Sequence, residues 1–287
     1  MDYPASELVL DSQNRVYHLG ISPENCAHKI ILVGDQDRVA LVSSFFDTIE
    51  FTHQHREFVT HTGTYKGKRI TVLSTGIGTD NIDITVNELD ALANINLKNR
   101  TKKSNHTALE LVRIGTCGIL QPTIPVHSYI LSEAALGLDN VAHFYNVPFS
   151  ENEIQECTKI EHHLGLPEKV KPYYIEAAKE LVEKFSSPAT KNGITITSSG
   201  FYGPQGRQLN LSTKTTQLNE RLTNYASSDL KVVNFEMESS ALFALSKALG
   251  HKSTTICLGI ANRPKLEFSK DYSEPMNALI VYVLERI

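Results

Sequence analysis

Short apolar runs alternate along the chain with segments whose apolar residues recur every three or four positions. Runs with the length and composition of buried strands cover 29–33, 70–74, 111–114 and 254–260. Apolar residues at helical spacing cover 82–93, 174–185, 239–249 and 276–287. Glycine follows each of the first three strands within two residues. This alternation predicts an α/β fold whose ligand site lies at the strand ends.

Two polar stretches interrupt the alternation, at 96–108 and 148–171. Both lack apolar periodicity, so we predict excursions from the core, and we expect the basic run at 98–103 to be a solvated loop. The pair His162-His163 is of a type that binds metals, but no carboxylate-rich string accompanies it, so an exposed loop is expected. With no repeat and no linker rich in Pro, Gly or Ser, residues 1–287 are predicted to form a single domain.

Composition narrows the class of protein. The 287 residues are 41% hydrophobic and 21% charged, with a net charge of −4, which predicts a globular protein without a nucleic-acid partner. The sequence contains no run of about 18 apolar residues, so no membrane partner is predicted. The four cysteines are far apart and show no CxxC spacing, which argues against a disulfide framework and a cysteine-bound zinc. We therefore expect a reducing, cytoplasmic compartment.

Several residues have the chemistry to bind an anion. Gly34 directly follows the first strand, where backbone N–H groups can approach an anion, and Arg38 adds a forked cation. Arg113 lies inside an apolar strand, where a guanidinium is costly unless paired, so it is either an anion ligand or half of a structural salt bridge. The Thr116 hydroxyl and Arg56 would complete a site of phosphate size.

The string 201–207 combines an aromatic face, an amide and a guanidinium. Phe201 can pack on a heterocycle, Gln205 offers both a donor and an acceptor, and Arg207 donates in a plane to carbonyl oxygens. This set is appropriate for a flat ring with several carbonyl groups. The alternative is a Gly-Pro turn whose polar flanks are incidental.

The string Glu236-Met237-Glu238 precedes the helical segment 239–249. Glu238 is suited to accept hydrogen bonds from the vicinal hydroxyls of a ribose, and Met237 is adaptable apolar filling beneath a sugar ring. Glu236 is equally well explained as a complement to the helix dipole. The three groups of residues together predict a pocket for a base, a sugar and an anion.

In this order, the motifs resemble those of the nucleoside phosphorylase family, and in particular of its members that act on uridine. The resemblance extends along most of the chain and includes Ser74-Thr75-Gly76-Ile77-Gly78, which is similar to the family's core turn. It implies a central mixed twisted sheet, partly barrel-like and flanked by helices. It also implies reversible phosphorolysis of uridine to uracil and ribose 1-phosphate, a pentosyltransferase reaction of nucleoside salvage. Inorganic phosphate would be the co-substrate, with no cofactor.

The resemblance assigns roles to individual residues. The phosphate-binding residues would be Gly34, Arg38, Arg56, Arg113 and Thr116. The base-binding residues would be Phe201, Gln205, Arg207 and Ile260, with Arg263 beside them. The ribose-binding residues would be His18, Cys117, Glu236, Met237 and Glu238. Catalysis would depend on Arg207, Gln205 and Arg113.

Family members share active sites between subunits. His18 and Arg56 resemble residues that reach a neighbour's nucleoside and phosphate, which implies a homodimer as the minimal active unit and three dimers in a homohexameric ring. Some members hold a monovalent cation with a glutamate like Glu57, but Thr79-Asp80-Asn81 differs from the family run beside it. The sequence leaves dependence on K⁺ open, and no other metal is expected. In the turn after the first strand, Gln36 stands where family members usually have a proline.

Three other functions remain open at the level of sequence. A purine nucleoside phosphorylase or a nucleoside hydrolase would use the same scaffold, although a hydrolase has no need of three phosphate arginines. A catalytically weak nucleoside-binding protein is the alternative from a different class. A plain structural α/β domain does not explain Arg113 together with the string 201–207.

Overall fold

The computed structural model describes residues 2–227 and 230–287. The strands are β1 Lys29–Val33, β2 Thr48–His55, β3 Phe58–Tyr65, β4 Lys68–Ser74, β5 Ile95–Asn96, β6 Thr101–Lys102, β7 Glu110–Ile119, β8 Tyr129–Gly137, β9 Tyr173–Glu176, β10 Thr190–Thr197, β11 Ala226–Ser227, β12 Leu230–Glu236, β13 Lys252–Asn262 and β14 Glu267–Phe268. The α-helices are α1 Gln36–Ser43, α2 Thr79–Asn94, α3 Glu151–Leu164, α4 Lys179–Phe185, α5 Leu218–Asn224, α6 Ser239–Leu249 and α7 Ser273–Arg286. No helix in these described ranges is long and apolar enough to cross a membrane.

Twelve of the strands form one mixed sheet in the order β11-β12-β10-β8-β13-β7-β1-β4-β3-β2, with β9 and β14 as branches. Strand β12 pairs with β10 on one side and with β7 on the other, which closes β12, β10, β8, β13 and β7 into a ring. The open strands β1 to β4 extend from this ring. The α/β fold with a mixed, partly barrel-like sheet is therefore confirmed.

The apolar run Lys29–Val33 explains how the core is built. Strand β1 lies between β4 and β7 and is parallel to both. Ile30 and Leu32 face one apolar cluster that includes α2 and α6, whereas Ile31 and Val33 face another that includes α7. A strand buried on both faces needs apolar residues at every position, which is why this strand was visible as a continuous run.

Several predicted elements are found. Strand β1 and helix α6 have the predicted bounds, and α6 ends at Gly250, which adopts a left-handed conformation with φ 76°. The three other predicted strands and the predicted helix at 82–93 are each longer in the structure than the sequence predicted. Strand β7 continues to Ile119, so Arg113, Thr116 and Cys117 all lie on one strand.

The predicted loop at 148–171 is wrong, because most of it is helix α3. Ser150 accepts a hydrogen bond from the Glu153 backbone, and the Glu153 side chain accepts one from the Ser150 backbone. Glu153 is buried with no exposed side-chain area and pairs with Lys247 at 2.6 Å. Because this helix buries a glutamate on its inner face, its apolar periodicity is interrupted. His162 and His163 therefore lie in the last turn of a helix.

Two smaller predictions also need correction. The helix expected at 174–185 begins only at Lys179, because residues 173–176 form strand β9, which pairs with β8. The expected solvated loop at 98–103 is partly strand β6, and Lys103 donates to the backbone oxygens of Leu92 and Ala93 at the end of α2. A cation at a helix C-terminus satisfies free carbonyl groups and the helix dipole.

Candidate active site

The carboxyl ends of the parallel strands β1, β4, β7 and β13 meet at one rim of the sheet, together with the end of β12. A cavity of about 920 Å³ opens there. All the site residues predicted from the sequence line this cavity except His18 and Arg56; they are Gly34, Arg38, Arg113, Thr116, Cys117, Phe201, Gln205, Arg207, Glu236, Met237, Glu238 and Ile260. Glu57, the predicted cation residue, lines it too.

One end of the cavity is the turn between β1 and α1. Asp35 caps α1 by accepting a hydrogen bond from the backbone N–H of Asp37 at 3.0 Å. The carbonyl of Gly76 lies 3.4 Å from where a Cβ on Gly34 would stand, so the two turns pack closely. Arg38 projects from α1 and is half-buried, and burial together with the nearby Arg113 cation lowers its pKa. This end of the cavity therefore brings the cations of Arg38 and Arg113 close together, with the carboxylates of Asp35 and Asp37 also in its lining.

Arg113 lies beneath the middle of the cavity and is 5% exposed. Its Nη2 contacts Glu238 Oε2, and its Nη1 lies 3.4 Å from Glu236 Oε2. Burial opposes its charge, but the two carboxylates outweigh that cost and raise its pKa. The predicted salt bridge therefore exists, yet Nε remains buried without a hydrogen-bond partner among the described residues. Arg113 thus holds both carboxylates in place beside the cavity.

The two carboxylates differ in how many of their hydrogen-bonding positions are occupied. Glu236 accepts hydrogen bonds from the Thr197 hydroxyl at 2.6 Å and from the backbone of Glu238 and Ser239. Glu238 accepts one hydrogen bond from the backbone N–H of Gly78, at 2.8 Å, beside its contact with Arg113. Glu236 therefore anchors the start of α6, whereas Glu238 keeps acceptor capacity toward the cavity.

The opposite end of the cavity is a turn after β10. Gln205 is 3% exposed, and its side-chain oxygen accepts a hydrogen bond from Arg207. Arg207 also donates to the Phe201 carbonyl at 2.6 Å, and its guanidinium carbon lies 3.7 Å from the centre of the half-exposed Phe201 ring. Burial and the neighbouring Arg263 cation lower the pKa of Arg207 to about 10. The predicted amide, guanidinium and aromatic face are therefore close together.

His18 and Arg56 lie on an outer face, where they are brought together by Tyr17. Arg56 donates to the Tyr17 hydroxyl at 3.3 Å, and the Tyr17 and His18 rings are in edge contact. The Glu88 carboxylate accepts hydrogen bonds from the His18 backbone at 2.9 Å and lies 2.6 Å from the His18 ring. Both predicted residues are thus held in place without lining the cavity of their own chain.

Ten lining residues of the cavity were not among the predicted site residues; they are Asp35, Gln36, Asp37, Gly76, Ile77, Asn81, Gly118, Phe235, Ala261 and Phe268. Ile77 and Phe268 are each 70% exposed and form part of the rim, while Gly118 and Phe235 belong to its wall. Phe235 directly precedes Glu236, a predicted site residue, and this position was a readable signal. Phe268 lies on the short strand β14, for which the sequence offers no pattern.

Outside the cavity, Asp90, His106 and His251 form the one group of three metal-ligating side chains in the described ranges. His251 Nδ1 accepts a hydrogen bond from the Leu109 backbone at 3.2 Å, so the neutral ring carries its proton on Nε2, 3.2 Å from Asp90 Oδ1. A metal on Nε2 would need the lone pair that this tautomer lacks. Burial would raise the pKa of Asp90, but the approach of His251 and a hydrogen bond from Asn94 lower it. The group fits a contact between a carboxylate and a neutral imidazole better than a metal centre.

Comparisons with known proteins agree with this geometry. The model of the family described as "Phosphorylase superfamily" matches residues 28–283. A uridine phosphorylase of Thermococcus kodakarensis is 31% identical over 260 residues, covering 88% of this chain and 80% of that protein. The crystal structure of a Trypanosoma brucei nucleoside phosphorylase described as showing uridine phosphorylase activity has a TM-score of 0.88 at 28% identity and covers 97% of this chain and 98% of that one. A DeoD-type purine nucleoside phosphorylase of Oceanobacillus iheyensis is 26% identical over 242 residues, covering 83% of this chain and 84% of that protein.

Proposed function

The chain belongs to the phosphorylase superfamily, and we propose that it catalyses the reversible phosphorolysis of uridine to uracil and ribose 1-phosphate. The observation that carries the proposal is that one cavity brings together an amide, a guanidinium and an aromatic face fit for a base, a carboxylate fit for ribose, and two arginines, Arg38 and Arg113, fit for phosphate. The relatives named as uridine phosphorylases support the same choice.

The base would bind at the turn that holds Gln205 and Arg207. When the bond from C1′ to the ring nitrogen breaks, its electron pair stays on the base, which leaves as an anion. Gln205 and Arg207 would donate to the carbonyl oxygens where this charge develops. Such donors, fixed before the reaction and shielded from water, stabilise the transition state more than the neutral substrate.

The ribose would lie over Met237, with its hydroxyls on Glu238. As the base leaves, positive charge develops on the sugar ring, and Glu238 is a cavity carboxylate that keeps acceptor capacity. Arg113 holds this carboxylate in place, so the pair serves orientation as well as binding. Glu238 would also accept a hydrogen bond from the 2′-hydroxyl, which favours uridine over its deoxy analogues.

Phosphate would bind between the Gly34 turn, Arg38 and Arg113. One of its oxygens attacks C1′ from the face opposite the departing base, so a C–O bond forms as the C–N bond breaks. The uracil anion then takes a proton from solvent or from phosphate. The protein's contribution in this scheme is positioning and electrostatics, which together are worth many orders of magnitude in rate.

We propose further that the minimal active unit is a homodimer. His18 and Arg56 do not line the cavity of their own chain, and they lie side by side on an outer face. In a two-fold dimer each chain would give this face to its partner and receive the same face in return. Three such dimers would form the ring that the resemblance implies. A reducing, cytoplasmic compartment remains part of the proposal.

A panel of nucleosides tests the reaction. Uridine, thymidine, deoxyuridine and inosine would be incubated with the protein, with and without phosphate, while base release is followed by ultraviolet absorbance. We expect uridine to be cleaved fastest and only when phosphate is present. Turnover of inosine without turnover of uridine would contradict the pyrimidine assignment, and base release without phosphate would indicate a hydrolase.

A further inference from the structure

Two guanidinium groups contact the turn at 201–207 without a carboxylate partner: Arg207 lines the cavity, and Arg263 binds the Gln205 carbonyl. Arg207 and Arg263 form no ion pair with any residue in the described ranges, and Arg263 Nη1 is buried without a hydrogen-bond partner. Burial lowers the pKa of both groups, which reflects the cost of keeping these charges out of water. Arg113, by contrast, is buried but paired with two glutamates.

The neutral side chain of Asn219, on helix α5, occupies the place where a counter-ion would be expected. With its amide oxygen toward Arg263, Asn219 accepts a hydrogen bond from Nη2 at 3.0 Å and donates to the Gln205 carbonyl at 3.3 Å. The opposite orientation would set an NH₂ group against a guanidinium, so this one is required. Arg263 Nη2 also donates to the Gln205 carbonyl, at 3.1 Å.

These contacts connect Asn219 to the base-binding turn. Gly206 has a φ of 69°, and a Cβ there would lie 3.2 Å from the Asn219 amide, so helix α5 packs directly against the turn. Gln205 is held through its backbone by Asn219 and Arg263, while its side chain contacts Arg207. A movement of Asn219 would therefore move the groups that face the base.

We propose that Asn219 is a positioning residue that holds Arg263 and the base-binding turn without neutralising their charge. The inference rests on the proposed function, in which uracil leaves as an anion. An aspartate would hold Arg263 more tightly, but its charge would cancel part of the positive potential that stabilises the leaving base. The amide supplies the hydrogen bond and leaves that potential intact.

Two substitutions separate a role in preserving positive charge from a purely structural role, because the two roles predict opposite orders for the loss of kcat in the two variants. Asn219→Asp keeps the acceptor and adds a negative charge, whereas Asn219→Ala removes the acceptor and adds none. We expect kcat for uridine to fall at least about tenfold in Asn219→Asp and only about threefold in Asn219→Ala, with KM for uridine changed less than about threefold in both. Asn224→Asp, at an exposed position on the same helix, is the matched charge control and should behave as the wild type.

The leaving group provides a readout that a structural role would not change. Fluorine at C5 withdraws electrons and stabilises the uracil anion by itself, so 5-fluorouridine should reduce the loss in Asn219→Asp to about threefold or less. Equal or greater loss in Asn219→Ala, or an equal loss with both substrates, would overturn the proposal.

Equilibrium binding tests the same charge without relying on activity or on the folding of a variant. The wild type should bind barbiturate, an anionic pyrimidine ring, at least about tenfold more tightly than neutral uracil. Equal affinities would show that the base end carries no excess positive potential and would refute the inference. Wild-type protein that shows this preference but does not cleave uridine would instead refute the proposed function alone.

Discussion

The position of Arg113 depends on the absence of a side chain at Gly115. A Cβ at this position would lie 2.2 Å from Arg113 Nη1 and 2.9 Å from Cys257 Sγ, both far inside normal contact distance. Gly115 does not have a positive φ, so alanine is excluded here by space and not by backbone conformation. Gly115→Ala should therefore push the guanidinium away from Glu236 and Glu238 while leaving every charged residue in the chain.

The size of the effect follows from the contacts that would be weakened. A hydrogen bond between charged groups contributes about 1.5–3 kcal/mol. At about 1.4 kcal/mol per factor of ten, kcat/KM for phosphate should fall roughly 10- to 150-fold. Overpacking should also lower the free energy of unfolding by about 1–3 kcal/mol, to be measured by urea denaturation. Initial rates over a range of phosphate concentrations, at saturating uridine, give the kinetic value.

A double variant distinguishes the two clashes. Cys257→Ala with Gly115→Ala removes the sulfur contact but leaves the contact with Arg113, so activity should stay low while some stability returns. Recovery of activity in the double variant would mean that Cys257, and not Arg113, transmits the effect. Wild-type kinetics in Gly115→Ala itself would refute the role assigned to Arg113.

Three further predictions follow from other contacts. Gln205→Ala with Arg207→Ala should abolish the preference for uridine or all activity in the nucleoside panel; an unchanged preference would place the base elsewhere. The contacts of Asp90 lower its pKa below 3.8. The contribution of this carboxylate to the free energy of unfolding should therefore be present above pH 3.8 and lost as pH falls through the lowered pKa. Asp90→Asn should therefore cost about 1 kcal/mol in urea denaturation at neutral pH but nothing in strong acid, and an equal cost at both would contradict this. Mixing inactive Arg56→Ala and Arg38→Ala chains should restore activity, because one site of a mixed dimer has both arginines; no recovery after proven subunit exchange would exclude a shared site.

The sequence predicted those parts of the fold whose cause is local. Strand β1 is buried on both faces and α6 has a glycine stop, so both were located with the right bounds. Helix α3 was missed because its inner face carries Glu153, whose charge is satisfied by Lys247 from a distant part of the chain. The capping pair Ser150 and Glu153 was the local signal that could have revealed it.

In the cavity, too, the sequence predicted what depends on local pattern but not what depends on residues distant in the chain. The sequence identified most of the lining residues because each motif directly follows or ends a strand. It could not decide whether Arg113 was an anion ligand or half of a salt bridge, since that depends on Glu236 and Glu238 more than 120 positions away in the chain. Asn219 was not noticed at all, because a single asparagine on a helix has no pattern until its neighbours are known.

The central claim is that phosphate, and not water, takes the ribose from uridine. Phosphorus NMR of a reaction containing protein, uridine and inorganic phosphate measures this directly, with uracil quantified in the same sample. The account predicts that the phosphate signal falls while the signal of ribose 1-phosphate rises by one equivalent for each uracil released. Release of uracil with an unchanged phosphate signal, or no release of uracil, would contradict it.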